Sequence, residues 1–173
     1  GAHYTEEDLM NISNIGCIEL AVPGKSFTDA MNCFMNLPKI LLIALNNGEY
    51  AGRLVGVKTE PAKSFQDVLN NYTKQLNYFI ELYAKGQNDA TPFFCKYYVR
   101  PLTSTLVEGC IEKAMLLDLG GSTYWTKTMS CCGIADVADS LMAVNQVVYD
   151  EGKLSLPELM DVCTKNYQNN ELL

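Results

Sequence analysis

The sequence predicts a helix-rich α/β fold, and three observations carry that prediction. Apolar residues recur at helical spacing through most of the 173 residues. A few short β-prone segments fall between the helical stretches. Successive β-prone segments are separated by helical crossovers, which implies parallel pairing. Three or four short strands make an incomplete sheet for this many apolar helices. The length suits one domain, spanning residues 1–173, with enough chain to bury a core.

Taken in order, Thr5 followed by Asp8 reads as a short helix start of the capping-box type. Ile15 to Ala21 has no helical period and is bracketed by Gly16 and Pro23-Gly24, so it is extended or a loop. Thr28 or Asp29 opens an apolar helix that ends at Asn46-Asn47-Gly48, with Pro38 predicting a kink or two consecutive helices. Arg53 to Lys58 reads as a short strand. Ser64 caps the clearest helix, in which Phe65, Val68, Leu69, Tyr72, Leu76, Phe79, Ile80 and Tyr83 recur until Gly86. Phe93 to Val99 is aromatic and β-prone, a strand leading to Pro101. Thr103 or Ser104 starts a further helix, with Leu106, Val107, Cys110, Ile111 and Ala114 on its buried face. Ser122 to Met129 alternates weakly as a strand would. A helix from about Ala135 to Tyr149 ends near Gly152, and Ser155, Pro157 and Glu158 open the last one.

Composition removes several function classes. The formal charge is −7, from 13 Lys plus Arg against 20 Asp plus Glu, with no basic cluster to hold phosphates. Nucleic acid is therefore not an expected partner. No apolar run approaches the ~20 residues of a membrane span. The single His3 cannot supply Ser-His-Asp or Cys-His catalysis or a multi-His metal site. The seven cysteines include no C-x-x-C pair, so no metal site is expected, and their odd, scattered count argues against a disulfide framework. A cytoplasmic protein is the expectation.

Chemistry concentrates at Ile15-Gly16-Cys17-Ile18-Glu19. If the segment is extended, Cys17 and Glu19 leave the backbone on the same side, roughly 7 Å apart. Gly16 allows a tight turn just before the thiol. A sulfur and a base facing one cavity suit removal of hydrogen at one carbon and deprotonation of a nearby hydroxyl. Taken alone the C-x-E spacing says little, since most cysteines beside isoleucine are buried small hydrophobes.

The wider pattern is more specific. Gly16-Cys17-Ile18-Glu19, then Val22-Pro23-Gly24-Lys25, then Asn36-Leu37-Pro38-Lys39 running to Ala44-Leu45-Asn46-Asn47-Gly48, resembles the active-site loop and following helix of glycyl radical enzymes, the relatives of pyruvate formate-lyase. The likeness continues through Pro101-Leu102-Thr103-Ser104, Cys110-Ile111-Glu112, Gly120-Gly121, Ala135-Asp136-Val137-Ala138-Asp139-Ser140-Leu141 and Leu156-Pro157-Glu158-Leu159. The resemblance implies a partial (half) α/β barrel in which Cys17 becomes a hydrogen-abstracting thiyl and Glu19 acts as general base. The implied reaction expels a leaving group from a small hydroxylated substrate, as in dehydratases and C–N or C–S lyases. Leu20 stands where those groups commonly carry proline, which keeps an arylacetate decarboxylase in play. A pyruvate formate-lyase-like acyltransferase fits less well, because Cys17 lies between Gly16 and Ile18 and Cys131-Cys132 fall outside this loop.

The family's cofactor is a protein glycyl radical, installed by a radical-SAM activating enzyme. No Arg-Val-x-Gly-Tyr type motif occurs at the C-terminal side; Arg53-Leu54-Val55-Gly56-Val57 has the wrong spacing and position. The chain is therefore expected to be the second-half core of a larger barrel, lacking the N-terminal half and the glycyl radical region and inactive by itself. The implied partners are the activating enzyme, the rest of the barrel and, at full length, a second subunit in a homodimer. The competing reading is a non-catalytic helical interaction module, supported by the stripe Phe65, Tyr72, Phe79 and Tyr83.

Overall fold

A computed structural model describes residues 3–16, 19–29 and 33–168. In chain order the elements are α1 (Glu6–Met10), β1 (Ser13–Ile15), β2 (Glu19–Ala21), β3 (Ser26–Asp29), β4 (Phe34–Asn36), α2 (Leu37–Leu45), β5 (Glu49–Tyr50) and β6 (Arg53–Leu54). They continue with α3 (Phe65–Tyr97), α4 (Pro101–Ser104), β7 (Tyr124–Lys127), β8 (Ser130–Cys132), α5 (Ile134–Val144) and α6 (Leu156–Thr164). A short 3-10 turn covers Leu117–Leu119, and a π-helical turn, Asn145–Asp150, extends α5.

The chain divides into two compact units, residues Gly1–Phe34 with Tyr83–Ser130 and residues Met35–Leu82 with Cys131–Leu173. In the first, β1 and β2 form an antiparallel hairpin in which Ile15 faces Glu19. Strands β3 and β7 pair in parallel, Ser26 with Tyr124 through Asp29 with Lys127. That pairing is the one expected from strands separated by long crossovers. Ala21, Val22, Cys110, Leu117 and Tyr124 are buried here.

The second unit is mostly helical. Val68, Val144 and Leu159 form its core cluster, with Leu45, Phe65, Leu141 and Leu156 packed against them. Helix α2 buries Leu37, Ile40, Leu41, Ile43 and Ala44, as its nearly all-round apolar sequence requires. Gln75, fully buried on α3, donates to the Val57 carbonyl at 2.6 Å and accepts from the Val57 amide at 2.9 Å. A Cβ at Gly56 would collide with that Gln75 amide, so the loop closes on α3 only because residue 56 has no side chain.

Locally signalled elements form as expected. Thr5 and Asp8 cap α1 reciprocally, Ser155 and Glu158 do the same for α6, and the strand within Ser122–Met129 is β7. Three expectations are corrected. The helix expected from Thr28 or Asp29 starts only at Leu37: β3 runs through Asp29, Asn36 accepts from the Lys39 amide at 2.9 Å as N-cap, and β4 precedes it. Pro38 sits in the first turn, where a missing N–H costs no bond and no kink results.

The helix from Ser64 does not stop at Gly86, and the strand expected over Phe93–Val99 is absent. Instead α3 continues through Pro92 to Tyr97. Rings at i and i+4, Phe93 with Tyr97 (4.7 Å) and Phe94 with Tyr98 (5.7 Å), reward the helical spacing that β propensity alone would miss. The helix expected from Thr103 or Ser104 onward reduces to α4 and a series of turns. Gly109 lies at φ +92°, Cys110 is buried, and Leu106 and Ile111 are exposed. Backbone bonds from Glu108 to Gly24 and from Thr123 to Glu108 draw this stretch toward the strands instead.

Candidate active site

The hairpin β1–β2 holds the segment singled out in the sequence. Ile15 and Glu19 are paired across it, so β1 and β2 run antiparallel and the segment is not one extended run. The connection between them is residues 16–18, of which Gly16 is described; Cys17 lies outside the described residues. Gly16 adopts φ +65°, the left-handed region that glycine enters without steric cost.

Glu19 is the notable residue. On β2, Glu19 and Ala21 are buried and Leu20 between them is exposed. That is the reverse of what a hairpin stabilised by its own packing would show, because burying a carboxylate is costly and exposing a leucine gains nothing. The Glu19 carboxylate folds back over Gly16: a Cβ placed on Gly16 would lie 2.6 Å from Oε2. Gly16 therefore serves twice, once in backbone conformation and once in leaving room for the acid.

A second polar cluster anchors the base of this hairpin. Beyond β2 the chain turns at Val22, whose carbonyl accepts from the amides of Lys25 and Ser26 and whose amide donates to Ser26 Oγ. Tyr124 donates its amide to the Lys25 carbonyl at 3.0 Å, joining the turn to β7. The Lys25 side chain reaches Asp8 Oδ1 at 2.8 Å. Asp8, only 2 % exposed, also accepts from Tyr124 Oη at 2.5 Å and Thr5 Oγ1 at 2.7 Å. The Lys25 ammonium, then the Tyr124 and Thr5 hydroxyls, hold the Asp8 carboxyl well below the usual carboxylate range. The same contact raises Lys25 and Tyr124.

Sequence reasoning saw Thr5 and Asp8 only as a cap. Nothing in the chain flags Tyr124, 116 residues away, as their partner. Among the described residues no cluster of His, Cys, Asp and Glu could hold a metal ion, and no helix is long and apolar enough to cross a membrane. Cys131 and Cys132 are exposed on β8, whereas Cys110 is buried, its thiol pushed up by desolvation.

The chain as a whole is similar to known proteins. The chain is 31% identical to trans-4-hydroxy-L-proline dehydratase of Clostridioides difficile over 99% of its own length and 22% of that enzyme's. It is 27% identical to (2S)-3-sulfopropanediol dehydratase of Klebsiella oxytoca, covering 98% of this chain and 21% of the relative. Among solved structures it matches the glycerol-bound glycerol dehydratase of Clostridium butyricum with a TM-score of 0.93 at 30% identity, covering 98% of this chain and 22% of that one. A glycyl radical enzyme from Archaeoglobus fulgidus gives 0.89 at 32% identity, with 98% and 22% covered. The chain thus spans about a fifth of the length of these relatives, and its helix-rich α/β fold is part of their barrel. The family model for pyruvate formate lyase-like proteins matches residues 1–173, so the chain belongs to that family of glycyl radical enzymes.

Proposed function

We propose that this chain is the catalytic-barrel portion of a glycyl radical lyase that eliminates a leaving group from a small hydroxylated substrate. The observation that carries the reading is the buried Glu19 carboxylate on the short hairpin, set against a glycine that has no side chain to displace it. The protein glycyl radical, installed by a radical-SAM activating enzyme, supplies the radical equivalent in the full-length enzyme. Cys17 takes one hydrogen atom from a substrate carbon and later returns it. Glu19 takes the proton of the hydroxyl on that carbon through a carboxylate oxygen. Loss of the proton places negative charge on the oxygen, which weakens the bond to the leaving group on the next carbon; that group departs with its electron pair and accepts a proton. Burial of Glu19 supports this role because water competes poorly for the transferred proton there.

The dehydratase relatives at 31% and 27% identity support elimination of water as the first chemistry to assay. A second reading, decarboxylation of an arylacetate, is favoured by Leu20 directly after the glutamate and by 25% identity to indoleacetate decarboxylase of Tractidigestivibacter scatoligenes. The test is anaerobic activation of the full-length protein carrying this chain, followed by product analysis with diols, hydroxyprolines, sulfonates and arylacetates. Cys17→Ala is expected to abolish turnover. Glu19→Gln is expected to leave a radical that forms but seldom completes the reaction. Unchanged turnover in Cys17→Ala would overturn the assignment.

A further inference from the structure

We propose that the first unit contains a second binding site, for a small aromatic carboxylate, between the β3–β7 pair and the C-terminal part of α3. The cavity there has a volume of about 290 Å³, close to the lower bound of ordinary ligand pockets. Phe27, Phe94 and Trp125 contribute to its walls, together with Arg100, Asp118 and Lys127. Parallel register explains part of this: Phe27 sits beside Trp125, and Lys127 follows two residues later on the same face of β7.

The two cations are held differently. Arg100 is pinned by Asp118: its amide donates to Oδ2 at 2.9 Å and its Nε to Oδ1 at 2.7 Å, while Nη2 also bonds Oδ1. Its guanidinium lies 4.7 Å from the Phe27 ring centre. Among the described residues, the hydrogen-bond acceptors of Lys127 are neutral oxygens, Thr91 Oγ1 and the Gln87 oxygens. Its ammonium lies 5.6 Å from the Trp125 ring centre. Asp118 is the one carboxylate among the described residues that line the cavity, and it is already committed to Arg100. Two cations and one anion leave one positive charge facing an aromatic-walled space in a chain whose net charge is −7. A carboxylate would balance Lys127, and a flat ring would stack among the side chains that line the rest. Glu19 does not line this cavity, so the inference does not depend on the elimination chemistry.

Trp125 is the chain's single tryptophan, so its emission reports on this cavity directly. Benzoate is the probe, with benzamide as its uncharged counterpart and inorganic phosphate as the anion without a ring. Benzoate is expected to change Trp125 emission saturably, with benzamide and phosphate each weaker by about tenfold or more. Added salt is expected to weaken benzoate binding. Lys127→Gln should lose benzoate by a similar factor while Lys127→Arg retains it, with circular dichroism confirming that both variants fold. Equal affinity for benzoate and benzamide in the unsubstituted chain would overturn the charge argument. Phosphate binding as tight as benzoate would overturn the aromatic one. No saturable response would overturn the site.

Discussion

Glu19 and Gly16 act as one unit at the scale of single residues. Replacing Gly16 with alanine forces a β-carbon into both a left-handed backbone and the space of the Glu19 carboxylate. The backbone term alone is about 1–2 kcal/mol, and Gly16→Ala should lower the unfolding midpoint accordingly in a denaturant titration. Under the proposed elimination it should also depress turnover of the full-length protein, because the Glu19 carboxylate must move. Asp8 makes a separate pH prediction. Its carboxyl is held low by Lys25 first and Tyr124 second, so its contribution is present above the unfolded value near 4 and is lost as pH falls below it. Lys25 and Tyr124 are raised, so theirs is present below about 10 and is lost as pH rises beyond it. The contribution of this cluster to stability against urea should therefore be constant between those limits and fall on both sides. Asp8→Asn should weaken both limbs, and an unchanged acid limb in that variant would refute the assignment.

The elements show where local chemistry decided structure and where it did not. The caps of α1 and α6 were legible because Thr5 with Asp8 and Ser155 with Glu158 close within one turn. The start of α2 was not, because Pro38 reads equally well as an interruption or as a first-turn residue. The last turns of α3 were missed because Phe93, Phe94, Tyr97 and Tyr98 have strong β propensity one by one and reveal their pairing only once coiled. Glu19 is singled out in the sequence by its spacing from Cys17 and by the family likeness of its loop. Its burial was not legible, since exposure of Leu20 inverts the usual alternation. Helix α3 also offers a clean energetic test at Gln75, whose amide satisfies both backbone groups of Val57. Gln75→Leu should cost about 2–4 kcal/mol, because two peptide groups lose their partner. Equilibrium denaturation measures it, and a change below the error of that method would mean water replaces the amide.

For the molecule as a whole, the chain spans about a fifth of its relatives and leaves much apolar surface uncovered. Phe93, Phe94, Tyr97, Tyr98, Leu102 and Leu106 are each more than half exposed within one stretch of sequence. Monomeric proteins seldom tolerate such a concentration. Sedimentation velocity should show association that grows with concentration, and Leu102→Lys with Leu106→Lys should reduce it. A monodisperse species at all concentrations would argue that these side chains are screened by other means. The net charge of −7 opposes association only weakly at ordinary salt.

The inward acid and outward leucine of β2 set durability against chemistry. Exchanging Glu19 for an aliphatic residue would remove a buried carboxylate, so thermal hardiness and the proposed proton transfer pull position 19 in opposite directions. A laboratory lineage selected only for heat tolerance would be expected to discard this glutamate early, and with it the proton acceptor of the proposed elimination.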